Sequence, residues 1–205
     1  MLRSVSGPAY TRLENDERRR RLLELGADLF TRNAYDEISM AQIAREAGIS
    51  KALLYHYFPS KQDYFVATLA SGAEELRRRV EPDPELPPAE ALTAAIDAYL
   101  AWIEDNSEAY EKLLQSAATV PEVREIVEGV RATTVDRILA GIGATTPVAR
   151  TAVRGWLWFM DGACLDWIAH RDLDRGQVLG LLLGTLGGAL MAAGVQLPVT
   201  EGSDP

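Results

Sequence analysis

The apolar positions of this chain repeat with a helical period. Met40, Ile43, Ala44 and Ala47 fall at i, i+3, i+4 and i+7, the spacing of one buried stripe, which leaves Gln42, Arg45 and Glu46 facing outward. The same reading predicts nine helices, at about residues 16–33, 39–47, 50–57, 61–79, 88–105, 107–118, 121–141, 147–170 and 175–194. Start signals support these limits. Ser39 with Gln42 reads as a capping box, Ser50 as the next N-cap, Ser60 with Asp63 as a third, and Thr146-Pro147 and Asp174 with Gln177 open the last two helices. No run alternates with period two between turn residues, so the expected class is all-α.

The stretch "VEPDPELPPAE", residues 80–90, carries four prolines and four acids and divides the chain. The expected organisation is a flexible arm at 1–15, a three-helix unit with a helix-turn-helix at 16–60, a connecting helix at 61–79, a Pro-rich linker at 80–88, a second helical domain at 89–196 and a disordered tail at 197–205. Val178–Val195 is uncharged and carries Gly180, Gly184 and Gly188 four apart. At about 1.5 Å per residue it falls slightly short of a ~30 Å hydrocarbon core, and its many small residues suit close helix packing better than lipid. A buried helix is expected, with a second subunit as a possible partner surface.

Charge changes the picture more than composition does. The formal net charge is −9, but residues 1–79 hold 13 Lys/Arg against 11 Asp/Glu, while residues 80–205 hold 8 against 19. The halves therefore face different partners. Arg12, Arg18 to Arg21, Lys51 and Lys61 concentrate first-half cations in two short stretches. One cysteine and two histidines supply neither a disulfide nor a metal-ligand cluster, so no cofactor or metal is expected. The first residues lack a signal-peptide core, and a cytoplasmic location is expected.

Gly48 after the first amphipathic helix supplies a residue tolerant of positive φ, and Ile49 plugs the corner before a second helix. With Leu54 inward, Tyr57 and Phe58 pack, and Lys51, Ala52, Tyr55 and His56 face outward. Such a face suits a DNA groove: Lys51 donates to guanine or phosphate, Ala52 meets a thymine methyl, and the rings reach backbone oxygens. Lys61, behind the Ser60 cap, is placed to attract phosphate.

Residues 22–69, including "ISMAQIAREAGISKALLYHYFPSK", closely resemble the amino-terminal DNA-binding region of the TetR (tetracycline-repressor-like) transcriptional regulators. The resemblance implies a homodimer that sets two recognition helices in successive major grooves of a palindromic operator, with a variable carboxy-terminal domain that binds a small molecule and dimerises through its last two long helices. It places Lys51 and Ala52 near bases, and Gln42, Leu53, Tyr55, His56, Tyr57 and Lys61 along phosphates; Arg18 to Arg21 would add contacts at the first helix's start. Ala34 stands where glycine is common, so Asn33 is expected to take a left-handed turn. Ala52-Leu53 replaces Gly-Thr, which removes one phosphate-bonding hydroxyl, and Tyr64 replaces leucine.

In the second domain, aromatic residues at helical spacing read either as plain core or as a ligand box; the resemblance implies an apolar effector cavity between these helices, with Trp102, Trp156, Phe159, Met160 and Cys164 as the candidate residues around it. Asp161 or Asp166, if it faced that cavity, would favour a cation. His170 reads as a surface residue. The expected function is a ligand-responsive regulator, most simply a repressor released by its effector. A helical scaffold or DNA-organising protein that senses no small molecule fits the same pattern. An enzyme fits poorly, because no phosphate loop, nucleophile elbow or paired-carboxylate motif occurs.

Overall fold

The computed structural model describes residues 8–195 and contains, among them, nine α-helices and no strand. They are α1 (Pro8–Arg32), α2 (Met40–Glu46), α3 (Lys51–Tyr57), α4 (Lys61–Arg79), α5 (Pro88–Asp105), α6 (Ser107–Thr119), α7 (Pro121–Gly141), α8 (Pro147–His170) and α9 (Arg175–Ala192), with a 3-10 turn at Tyr35–Glu37.

The expected caps form. Ser39, Ser50, Ser60 and Thr146 accept the N–H of Gln42, Leu53, Asp63 and Ala149, and Asp174 with Gln177 closes a full capping box. At Ser39 only the serine half of the expected box is made.

Two expectations fail at α1. The helix starts at Pro8, so residues 8–15 are helical rather than a loose arm; proline suits the first turn because its missing N–H has no partner there in any case. Residues 1–7 of the expected arm and the expected tail at 197–205 lie outside the described residues. Asn33 does not take the left-handed turn. Its side-chain amide donates to the Leu29 carbonyl at 2.8 Å, and Ala34 leaves the helix extended at φ −68°, its N–H held by Glu37 at 2.9 Å. Among the described residues Arg171, after α8, is the one non-glycine with positive φ.

Two cores hold the chain. The first joins Leu22, Leu29 and Phe30 of α1, Met40, Ile43 and Ala44 of α2, Leu54 of α3, Phe58, and Tyr64 and Phe65 of α4. Val123 of α7 belongs to the same cluster, with Leu113 and Ala117 of α6 packed against it, so the amino-terminal unit rests on the second domain. The second core joins α5, α7, α8 and α9 through Ile96, Leu100, Val135, Val153, Trp156, Leu182 and Leu186.

The α9 helix is long and apolar enough to cross a membrane by length and composition, yet Val178, Leu182, Leu186 and Leu190 lock it into the second core. Gly180, Gly184 and Gly188 lie on its exposed side with nothing within 4 Å of a Cβ built on them.

The α1–α4 crossing is tight at Gly26, where an added Cβ would stand 2.4 Å from the Thr68 hydroxyl and 2.8 Å from that of Tyr64. Tyr64, fully buried where leucine was the expected type, donates to the Leu22 carbonyl at 2.5 Å. Gly26→Ala is therefore expected to destabilise the protein by about 1–3 kcal/mol through overpacking. Gly129→Ala, at an exposed helix position with free space, should stabilise it by about 0.5–1 kcal/mol. Thermal denaturation of both variants checks the pair of signs.

Candidate nucleic-acid interface and effector cavity

The α2–α3 corner turns at Gly48, whose φ of 65° a side chain would strain, and Ile49 donates its N–H back to Ala44 at 3.0 Å. Leu54 and Phe58 are buried, and Lys51, Ala52, Tyr55 and His56 are exposed on one face. Lys51 extends along that face with its ammonium 5.7 Å from the Tyr55 ring centre. Leu53 and Gln42 are half-buried on its flanks. Ser50 caps α3 and Leu54 anchors it from beneath.

Six of the expected phosphate contacts, Arg18 to Arg21, Tyr57 and Lys61, are already engaged within the protein. The Tyr57 hydroxyl donates to Asn15 at 3.0 Å and accepts from Arg18 at 3.5 Å, tying α3 to α1. Arg19 lies over the Phe58 ring at 5.4 Å, and Arg20 and Arg21 pair with Glu17. Because α1 starts earlier than expected, Arg18 to Arg21 sit in mid-helix. Lys61 is turned away from the Ser60 cap: its ammonium donates to the carbonyls of Tyr35 at 3.0 Å and Ile38 at 3.1 Å and stands 4.1 Å from the Tyr35 ring centre. It closes the turn between α1 and α2, so its ammonium is not free for the expected phosphate contact.

In the second domain a cavity of about 1180 Å³ lies among α1, α4, α5, α6, α7 and α8. Of the five sequence candidates, Trp102, Trp156 and Met160 line it. Phe159 does not; it is 41% exposed on the outer face of α8. Cys164 is wholly buried outside the lining, and burial pushes its thiol up to about 12. Trp156 and Met160, one turn apart on α8, reach the lining, whereas Phe159, about 100° around the helix from Met160, falls on the outer face. Trp156 also fastens α8 to α9, donating its indole N–H to the Leu182 carbonyl at 2.9 Å.

Asp161 does reach the cavity, but it is not free to hold a cation. It accepts from the Tyr110 hydroxyl at 3.0 Å and pairs with Arg131, which also bonds Glu128 at 2.6 Å. Arg131 lies 4.5 Å from the Trp158 ring centre. Tyr99 donates to Tyr110 at 3.1 Å, and burial raises both phenols far above their ordinary value. Asp166 is exposed and accepts a contact from His170, itself at the surface. Tyr99, Tyr110 and Arg131 were not among the cavity candidates named from sequence. The one available signal was an acid, Asp161, set in an otherwise apolar helix and needing a buried partner.

Residues 22–68 match the family model described as bacterial regulatory proteins of the tetR family, and residues 88–186 match that of the tetracyclin repressor-like C-terminal domain. The chain belongs to the TetR family. A TetR-family regulator from Streptomyces coelicolor superposes with a TM-score of 0.76 at 27% identity, covering 87% of this chain and 82% of that one. The transcriptional activator FasR of Mycolicibacterium smegmatis is 32% identical over 120 residues, 55% of this chain and 52% of its own. The repressor KstR of Rhodococcus jostii is 33% identical over 76 residues, 37% and 36% of the two chains. The chain thus spans about half or less of these curated relatives. As a TetR-family member it is a DNA-binding transcriptional regulator rather than an enzyme.

The two lysines of the reading region separate in a single comparison. Lys61→Met should lower stability by about 1.5–3 kcal/mol, since it leaves two carbonyls unpaired, and should leave the salt dependence of DNA binding nearly unchanged. Lys51→Ala should spare the melting temperature and reduce the slope of log affinity against log salt by about 1. Melting curves and a salt titration of DNA affinity measure both.

Proposed function

We propose that this TetR protein is a dimeric repressor that binds a palindromic operator in the cytoplasm and is released when a small molecule fills the cavity among α4 to α8. The carrying observation is Lys112 of α6. It lines the cavity, and its ammonium donates to the carbonyls of Phe30, Thr31 and Asn33 at the end of α1. A ligand that moves α6 thereby moves the helix against which α3 is tied through Tyr57. Gln62 of α4, bonded to Glu122 of α7 at 2.9 Å, gives a second link between the halves.

A dimer is supported by the outer faces of α8 and α9. Val148, Gly155, Phe159 and Gly162 on α8 and Gly180, Leu181, Gly184, Gly188 and Met191 on α9 are exposed, an apolar, small-residue surface that suits a four-helix seam. Lys51, Ala52, Tyr55 and His56 would then meet the major groove, with Gln42, Leu53 and Tyr57 beside phosphates. Leu53 offers only methyl groups there.

A mobility-shift titration with the promoter DNA beside its own gene tests the reading, and a reporter fused to that promoter gives the sign of regulation. Salt-sensitive binding should weaken about 10-fold or more in Lys51→Ala and Tyr55→Ala. Phe159→Asp should convert the dimer to monomers in light scattering and abolish binding to the two-half-site DNA. Parent-like affinity in all three variants would sink the proposal.

A further inference from the structure

The cavity is long. Its lining positions on α7 run from Ile126 to Gly141, about 22 Å of helix, and include Val127, Val130, Thr134 and Ile138. Facing them are Leu92, Ile96 and Trp102 of α5 and Leu157 and Met160 of α8, so most of the wall is apolar. An elongated apolar chain matches this shape better than a compact polar metabolite.

The charges reaching the cavity are unequal in availability. At the inner end Arg131, Asp161, Glu128 and Arg154 form a closed set of two cations and two anions. A ligand charge of either sign finds no free partner there, and desolvating it would be costly. Near the α4–α5 side, Arg32, Arg77 and Arg79 are each paired with an acid, and the Lys112 ammonium is committed to carbonyls. Arg137 differs. It lines the cavity, is half-buried, and among the described residues is the lining guanidinium with no acidic partner. The lining acids Asp83, Asp105 and Glu108 are exposed, where water screens them.

We propose that the effector is an amphipathic anion, a long apolar chain ending in a carboxylate or phosphate, with its head on Arg137 and its chain running along α7 toward Tyr99. The proposal rests on the effector role of the cavity. It also assigns the inner end. Asp161 accepts only, so Tyr110 must donate to it and must accept from Tyr99, which leaves the Tyr99 oxygen as an open acceptor. A hydroxyl far along the chain would be recognised there, whereas a second anion would be refused.

Isothermal titration of the full chain with dodecanoate, dodecyl phosphate, dodecanol and dodecyltrimethylammonium, each below its micellar concentration, tests this. One or both anions should bind more tightly than the alcohol and the ammonium, and which one binds identifies the head group. Arg137→Gln should weaken the anion by about tenfold or more, Arg137→Lys should retain most of the affinity, and both should leave dodecanol unaffected. Circular dichroism confirms that the variants are folded. Alcohol or ammonium binding as tightly as the anions, no binding of any probe, or equal anion affinity in Arg137→Gln would overturn the proposal. Operator binding by the ligand-free protein is read separately, so its failure would count against the regulator reading and not against the ligand class.

Discussion

The close crossing of α1 and α4 at Gly26 is the constraint on which the exposed face of α3 depends. No side chain separates the helices there, so the Tyr64 hydroxyl reaches the Leu22 carbonyl and Thr68 lies against the α1 backbone. That crossing sets the cleft filled by Phe30, Ile43, Leu54 and Phe58, and those residues fix the phase of α3. The outward set of Lys51, Ala52, Tyr55 and His56 follows from which α3 residues the cleft consumes. Tyr57 and Arg19 then tie the same helix to α1, which makes the reading surface an extension of a rigid pair rather than a mobile hairpin.

The same pair is joined to the second domain. The α4 helix is the covalent link, and Lys112 holds the free carbonyls at the end of α1, groups that a helix otherwise leaves to water. An ammonium spanning from the cavity wall to the DNA-binding unit couples the two by geometry. The charges of Arg131, Asp161, Glu128 and Arg154 neutralise one another at the cavity.

Much of this was legible in the sequence because it is local. Ser39, Ser50, Ser60, Thr146 and Asp174 mark helix starts by side-chain chemistry one turn away, and Gly48 marks the turn by backbone conformation. The 3.6-residue period sorts α2 and α3 into buried and exposed faces without any knowledge of the partner helices. What escaped depends on contacts distant in the chain. Lys61 reads as a phosphate anchor, and Lys112 carries no local signal, until the carbonyls they cap, 23 to 26 and 79 to 82 residues away, come into place. Phe159 shares a helical stripe with Trp156 and Met160, but only the packed neighbours of α8 decide where that stripe divides between cavity and outer face. The start of α1 was missed because Ala9, Tyr10 and Leu13 are cut off from the apolar period that begins at Leu22 by the polar run at residues 14–21.

The central claim is that DNA meets the exposed face of α3 at the end of the rigid α1–α4 pair. Hydrogen–deuterium exchange of the full chain with and without operator duplex tests it most directly. The account predicts slowed exchange across residues 49–64, with the backbone of α8 and α9 unaltered. Protection that spares α3, or that appears on the α8–α9 face instead, would contradict it.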